Sequence, residues 1–277
     1  MSTGVFCLVL LAAALHAGWY AIVKGAGDKR LSTVVVASSS GALSAVALPF
    51  FPQPDAASWP FIAGSVLLHQ AYFALVMAAY HTGDMSRAYP LMRGTAPMLV
   101  AAASLPLFGE ALASAGWGGV ALITGGVFAL LLPMRAGAGH RATIYALLNA
   151  VVIAAYTLVD GMGARLSGAP TAYTLWVFLL AGAIFAAGWA VRNRGARPPL
   201  AGHLRLGLAG GLGSVLSYAT VLWAMTLAPV AMVAALRETS ILFATLLAAT
   251  ILKEPVGPAR ALAAGTIAAG AVVLRLA

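Results

Sequence analysis

RGTAPMLVAAASLPLFGE occupies residues 93–110, and RETSILFATLLAATILKE occupies residues 237–254. Each run opens on an arginine, continues through mostly apolar residues and ends on a glutamate. Arg93 and Glu110 are 17 residues apart, as are Arg237 and Glu254, and the second pair is the first displaced by 144 residues. A cation inside an apolar run is costly to bury. Two of them in register point to a duplicated chain that keeps charge at its centre.

Working outward, the composition says what surrounds these runs. Hydrophobic residues make up 62% of the 277 residues and charged residues 8%. A soluble domain carries about 25% charged residues. This chain cannot cover its surface with polar groups, so a lipid bilayer is an expected partner. The net charge of +9 does not imply nucleic acid, because most basic residues stand between the apolar runs. Cys7 is the only cysteine, which excludes a disulfide framework and a cysteine metal site. Residues 1–23 hold no charged side chain, so they are expected to form a retained first helix and not a signal peptide.

A helix needs about 20 apolar residues to cross the hydrocarbon core. Ten candidate spans follow, at 4–23, 32–51, 59–80, 86–107, 113–133, 142–160, 170–191, 205–226, 229–252 and 259–275. Punctuation separates them: Gly25-Ala26-Gly27-Asp28, Pro52-Gln53-Pro54-Asp55, Arg192-Asn193-Arg194-Gly195 and Pro198-Pro199. The runs are continuous and do not alternate, so helices are expected and a β-barrel is not. The fold class is therefore all-α integral membrane, with ten transmembrane helices.

Loop charge gives an orientation. The odd-numbered connections carry Lys24, Lys29, Arg30, Arg87, Arg135, Arg141, Arg192, Arg194, Arg197, Arg205, Lys253 and Arg260; the other side, with both termini, carries Arg165 and Arg275. The positive-inside rule places the odd connections in the cytoplasm and both termini outside.

The repeat extends beyond the Arg and Glu pairs. Gly126 maps onto Gly270 and Ile123 onto Ile267 at the same offset, and Tyr72 maps onto Tyr218 with a two-residue gap. Five spans per half is an odd number, so the second copy enters the membrane upside down. Residues 1–136 and 137–277 are expected to be two inverted five-helix repeats, a transporter architecture.

Several local motifs have a common source. They are His16-Ala17-Gly18-Trp19, Leu91-Met92-Arg93-Gly94 with Pro97, Gly109-Glu110, Tyr156-Thr157-Leu158-Val159-Asp160-Gly161, Arg237-Glu238-Thr239-Ser240 and Leu252-Lys253-Glu254-Pro255. On these the chain resembles the drug/metabolite transporter superfamily, specifically its ten-helix EamA-like members, over essentially its whole length. The resemblance implies a secondary transporter, mostly an exporter of amino acids, metabolites or drugs. It implies a cavity lined by spans one, three, four, six, eight and nine, braced by spans five and ten. It also implies the inner membrane of a bacterium. Many relatives have basic residues after spans two and four, whereas here 52–58 and 108–112 have none.

Arg93 and Arg237 are the leading substrate-binding candidates. A guanidinium grips a carboxylate or phosphate through two bonds. The depth of each places one cation toward each mouth of a central cavity. The alternatives are gating, bonds to helix carbonyls freed near Pro90 and Pro97, or a permanent pair with Glu238 or Asp160. Tyr89, Arg93 and Pro97 share a face of span four. The prolines weaken span four, and their counterparts in span nine are not prolines, so the halves are not expected to move alike. His16, Trp19, Tyr20, Tyr72, Tyr156 and Tyr218 could line the cavity or simply pack. Glu238, Asp160 and His69 are the candidates for proton coupling or gating. Glu238 is expected to face a neighbouring helix, because adjacent residues pair poorly. Asp160 is expected near the outer end of span six.

The expected function is proton- or gradient-driven transport of a small metabolite, such as an amino acid or organic anion, by alternating access. Broad drug efflux is the alternative, and two buried arginines oppose it unless both are neutralised. No paired carboxylates with histidine, nucleophile motif or metal spacing point to an enzyme, and no cofactor is expected. The Gly-rich spans five and ten are expected to pack closely, leaving monomer or homodimer open.

Overall fold

Continuous apolar runs favour the α-helix, which satisfies every backbone group within its own segment. A computed structural model describes residues 1–24, 29–82, 85–132, 140–192, 200–250, 253 and 256–277, without the side chains at 20–24, 29–30, 80, 85–87 and 200–202. Tyr20's side chain, Glu254 and most of the basic loop residues used for the orientation thus lie outside the described residues.

In chain order the helices are α1 (Thr3–Lys24), α2 (Lys29–Ala47), α3 (Trp59–Thr82), α4 (Met85–Phe108), α5 (Ser114–Ala129) and α6 (His140–Leu166). They continue as α7 (Pro170–Arg192), α8 (Leu200–Met225), α9 (Val230–Arg237), α10 (Ser240–Thr250) and α11 (Pro258–Leu276). No strand occurs among the described residues. Eight segments are long and apolar enough to cross a membrane, and the shorter apolar helices Thr3–Trp19 and Ser114–Ala129 bring the number to ten. Leu67, Val151, Leu212, Leu246 and Val272 stand exposed around the bundle, where lipid covers apolar side chains at no cost.

Three details differ from the sequence expectations. α6 continues six residues beyond Asp160, so Asp160 stands inside the helix and not at its end. α4 runs unbroken through Pro90, Pro97 and Pro106. It packs against α5, α6 and α9, and such neighbours hold a proline-containing membrane helix in place.

The break falls in span nine, whose one proline, Pro229, stands at its start and not at the break. α9 ends at Arg237 and α10 begins at Ser240. Around it the backbone makes tight three-residue bonds: Glu238 N donates to Ala235 O and Ile241 N to Glu238 O, both at 3.0 Å. The Thr239 hydroxyl donates to Leu236 O at 2.6 Å. A threonine that bonds a preceding carbonyl competes with the helix ladder.

Packing partners alternate between the halves. α3 lies against α6 and α1 against α8; α4 lies against α6 and α1 against α9 and α10. α2 packs on α7 and α5 on α11. In the last pair Gly126 faces Ile267 and Gly270 faces Ile123, and a methyl group on either glycine would fall 2.7 Å from the isoleucine side chain. Glycine is what permits this approach.

The face carrying the termini and even-numbered connections is tied together. Asp55 N donates to Ser167 O at 3.0 Å. Trp176 Nε1 donates to Gln53 Oε1 at 2.9 Å. Arg275 holds the amino-terminal segment through Met1 O at 3.0 Å and Thr3 Oγ1 at 2.6 Å.

Candidate functional site

The charges of the two halves meet inside the bundle. Arg93, in the middle of α4, is only 7% exposed and donates from Nε to Glu238 Oε2 at 3.0 Å. Glu238 is 4% exposed and sits at the break between α9 and α10. Neighbouring residues project about 100° apart on a helix, so Arg237 and Glu238 point in different directions. Glu238 reaches across to α4, while Arg237 turns toward α8.

Arg237 makes no ion pair and no hydrogen bond among the described residues. Its guanidinium carbon stands 5.3 Å from the centre of the Tyr218 ring. The side chain is half-buried. Arg93 and Arg237 both act electrostatically on Glu238, and both act on His16 of α1. Both cations are therefore close enough to act on one carboxylate near the centre. Arg93 is neutralised by its partner; Arg237 is not.

Aromatic residues surround this centre. His16 meets Trp19 edge to face at 5.3 Å. His69 stacks on Tyr156 at 4.5 Å and meets Tyr218 edge to face at 5.9 Å. Tyr72 meets Tyr156 at 6.0 Å. Tyr89, one turn before Arg93, lies in its electrostatic field with Tyr72 and Tyr156. The elements supplying these groups are α1, α3, α4, α6, α8 and α9.

Asp160 forms a second centre. It is fully buried. Tyr173 of α7 donates to its Oδ1 at 2.9 Å, and Tyr218 of α8 donates to its Oδ2. No cation pairs with it among the described residues. Tyr218 thus belongs to both centres, with its hydroxyl on Asp160 and its ring under Arg237. His69 donates from Nδ1 to Ser65 O at 2.8 Å, one turn earlier on α3, and the Ser65 hydroxyl faces that of Tyr173.

Sequence reasoning missed Tyr173, Ser65 and Asn149. Asn149 is fully buried in α6 and donates from Nδ2 to Met92 Sδ at 3.1 Å. Nothing distinguishes these three from ordinary packing residues until the helices are assembled. Arg165 was read only as an exceptional loop charge. It joins three elements: to Glu110 Oε1 at 2.6 Å, to Met225 O at 2.8 Å and to Ala228 O at 3.2 Å. The other oxygen of Glu110 accepts from Val230 N at 2.9 Å, at the start of α9. Glu110 is thus part of the fold, tying the end of α4 to α6 and α9.

A solved crystal structure of a protein matches this fold with a TM-score of 0.75 and 22% sequence identity, covering 99% of this chain and 96% of that one. No curated protein matches the sequence. Residues 140–276 match the EamA-like transporter family, and through this second half the chain belongs to that family of the drug/metabolite transporter superfamily, as a multi-pass membrane transporter.

Proposed function

We propose that this chain is a secondary active transporter of a small metabolite with an anionic group, such as an amino acid or organic anion. It works by alternating access between inverted halves at 1–136 and 137–277. The observation that carries this reading is Arg237. A guanidinium in the middle of a membrane bundle, half-buried and without an anionic partner among the described residues, is costly to keep unless something binds it. A carboxylate from the substrate is a fitting partner, because the fork accepts two oxygens at once. Arg93, already held by Glu238, acts as a gate that releases when the substrate arrives.

The exchange pattern of helix contacts supports the inverted repeat. Swapping the halves turns the α3 and α6 contact into that of α8 and α1, and leaves the pairs α2 with α7 and α5 with α11 unchanged. The broken ninth span supports a binding role, since interrupted helices at the midplane supply transporter sites. Export in a bacterial inner membrane is the direction and place that the family resemblance implies. Broad efflux of apolar cations would need both arginines neutralised, and Arg237 is not.

The test is uptake into proteoliposomes of radiolabelled amino acids and organic anions, with and without an imposed proton gradient. Saturable uptake of an anionic or zwitterionic probe, lost in Arg237→Ala, supports the reading. Uptake confined to apolar cations, or unchanged in Arg237→Ala, overturns it.

A further inference from the structure

We infer that Asp160, and not Glu238, carries the proton that drives transport. This rests on the transporter reading above and specifies its coupling.

The two buried carboxylates have different partners. Glu238 is bound by a guanidinium at 3.0 Å, a donor that has no proton to give up. Asp160 is bound by two neutral hydroxyls, from Tyr173 and Tyr218. The groups facing it are those two tyrosines on α7 and α8, then Ser65 and His69 on α3, with Arg237 beyond the Tyr218 ring and Tyr156 on its own helix. Arg93 is held by Glu238 and Arg165 by Glu110.

The carboxylate has room for one proton. Tyr173 donates to one of its oxygens and Tyr218 to the other, and no cation pairs with it among the described residues. A proton added to Asp160 therefore breaks no ion pair, whereas one added to Glu238 would strand the Arg93 guanidinium.

Protonation changes what Asp160 can hold. The carboxylate accepts from both tyrosines. The acid has a proton of its own on one oxygen and must donate it. The tyrosine on that oxygen turns from donor to acceptor, which alters how α6 is tied to α7 or α8. With the proton on Oδ2 the tyrosine is Tyr218, whose ring lies under Arg237. Protonation thereby reaches the proposed substrate-binding arginine through one shared side chain.

Two measurements on protein reconstituted in lipid decide this. In pH-difference infrared spectra, wild type and Glu238→Gln should show the C=O stretch of a buried protonated carboxylic acid. Asp160→Asn should lose it, and Tyr173→Phe should shift it. Absence of the band from wild type, or its survival in Asp160→Asn, overturns the assignment without reference to any substrate. The second measurement is uptake of L-alanine and succinate into proteoliposomes. The ratio of gradient-driven to exchange uptake in Asp160→Asn should fall to the gradient-free value. A wild-type ratio in Asp160→Asn overturns the coupling role. Wild-type vesicles that take up neither probe count against the anion-transport reading instead, and the infrared result still decides the protonation.

Discussion

Arg93 Nε donates to Glu238 Oε2 at 3.0 Å, which joins the cation of the first half to the carboxylate beside the cation of the second. Both side chains are almost completely buried. Removing one partner from such a pair strands the other charge, which costs about 3–5 kcal/mol, whereas removing both often costs less. Arg93→Ala should therefore lower the unfolding temperature in detergent more than Arg93→Ala with Glu238→Ala does. Size-exclusion profiles after heating measure this. An equal or greater loss in the double variant would contradict the pairing.

Arg237→Ala should behave differently. Its contact with the Tyr218 ring is a cation–π interaction, worth about 0.5–2 kcal/mol, and it supports no ion pair. The variant should fold with a thermal transition close to wild type, yet lose uptake of the anionic probe. Arg237→Lys keeps the charge without the fork, so it should retain weak uptake with a raised KM. A folded Arg237→Ala variant with wild-type kinetics would remove this residue from the site.

The spans were legible because apolar runs of membrane length leave little choice of structure. The packing of α5 on α11 was expected too, from the small residues of both spans and from the family resemblance. The break at Glu238 was not. Prolines in span four pointed there, while span nine breaks where the Thr239 hydroxyl bonds Leu236 O and Glu238 meets Arg93. Asp160 looked like a helix-end residue because the apolar run ends near it, although the helix continues through Arg165. Its tyrosine partners lie on α7 and α8, and no spacing within one helix announces a contact between three.

The Glu110 and Arg165 bridge fastens the end of α4, the end of α6 and the start of α9 on the face with the termini. Arg165→Ala leaves one oxygen of Glu110 and the carbonyls of Met225 and Ala228 without this donor. Hydrogen bonds to charged groups contribute about 1.5–3 kcal/mol each. Loss of even one should raise the population open on this face by about tenfold or more. Maleimide labelling of Ala228→Cys, in a Cys7→Ser background, should accelerate accordingly when Arg165→Ala is added. Labelling rates equal in the two backgrounds would show that the bridge does not close this face.

Gly126→Ala tests the brace. The added methyl would lie 2.7 Å from Ile267 Cγ1 and 3.0 Å from both Ala263 O and Ile267 N. The side chain can yield, but the backbone atoms require the helices to separate. Overpacking of this kind costs about 1–3 kcal/mol. Gly270→Ala meets Ile123 Cγ1 at 2.7 Å and the Gly119 carbonyl at 2.9 Å, so it should destabilise by a similar amount. Ile267→Ala should rescue Gly126→Ala only in part, because the backbone contacts remain, and should not rescue Gly270→Ala. Thermal unfolding of the single and double variants measures each step. Full rescue of Gly126→Ala would mean that the isoleucine side chain alone, and not the helix spacing, makes glycine necessary there.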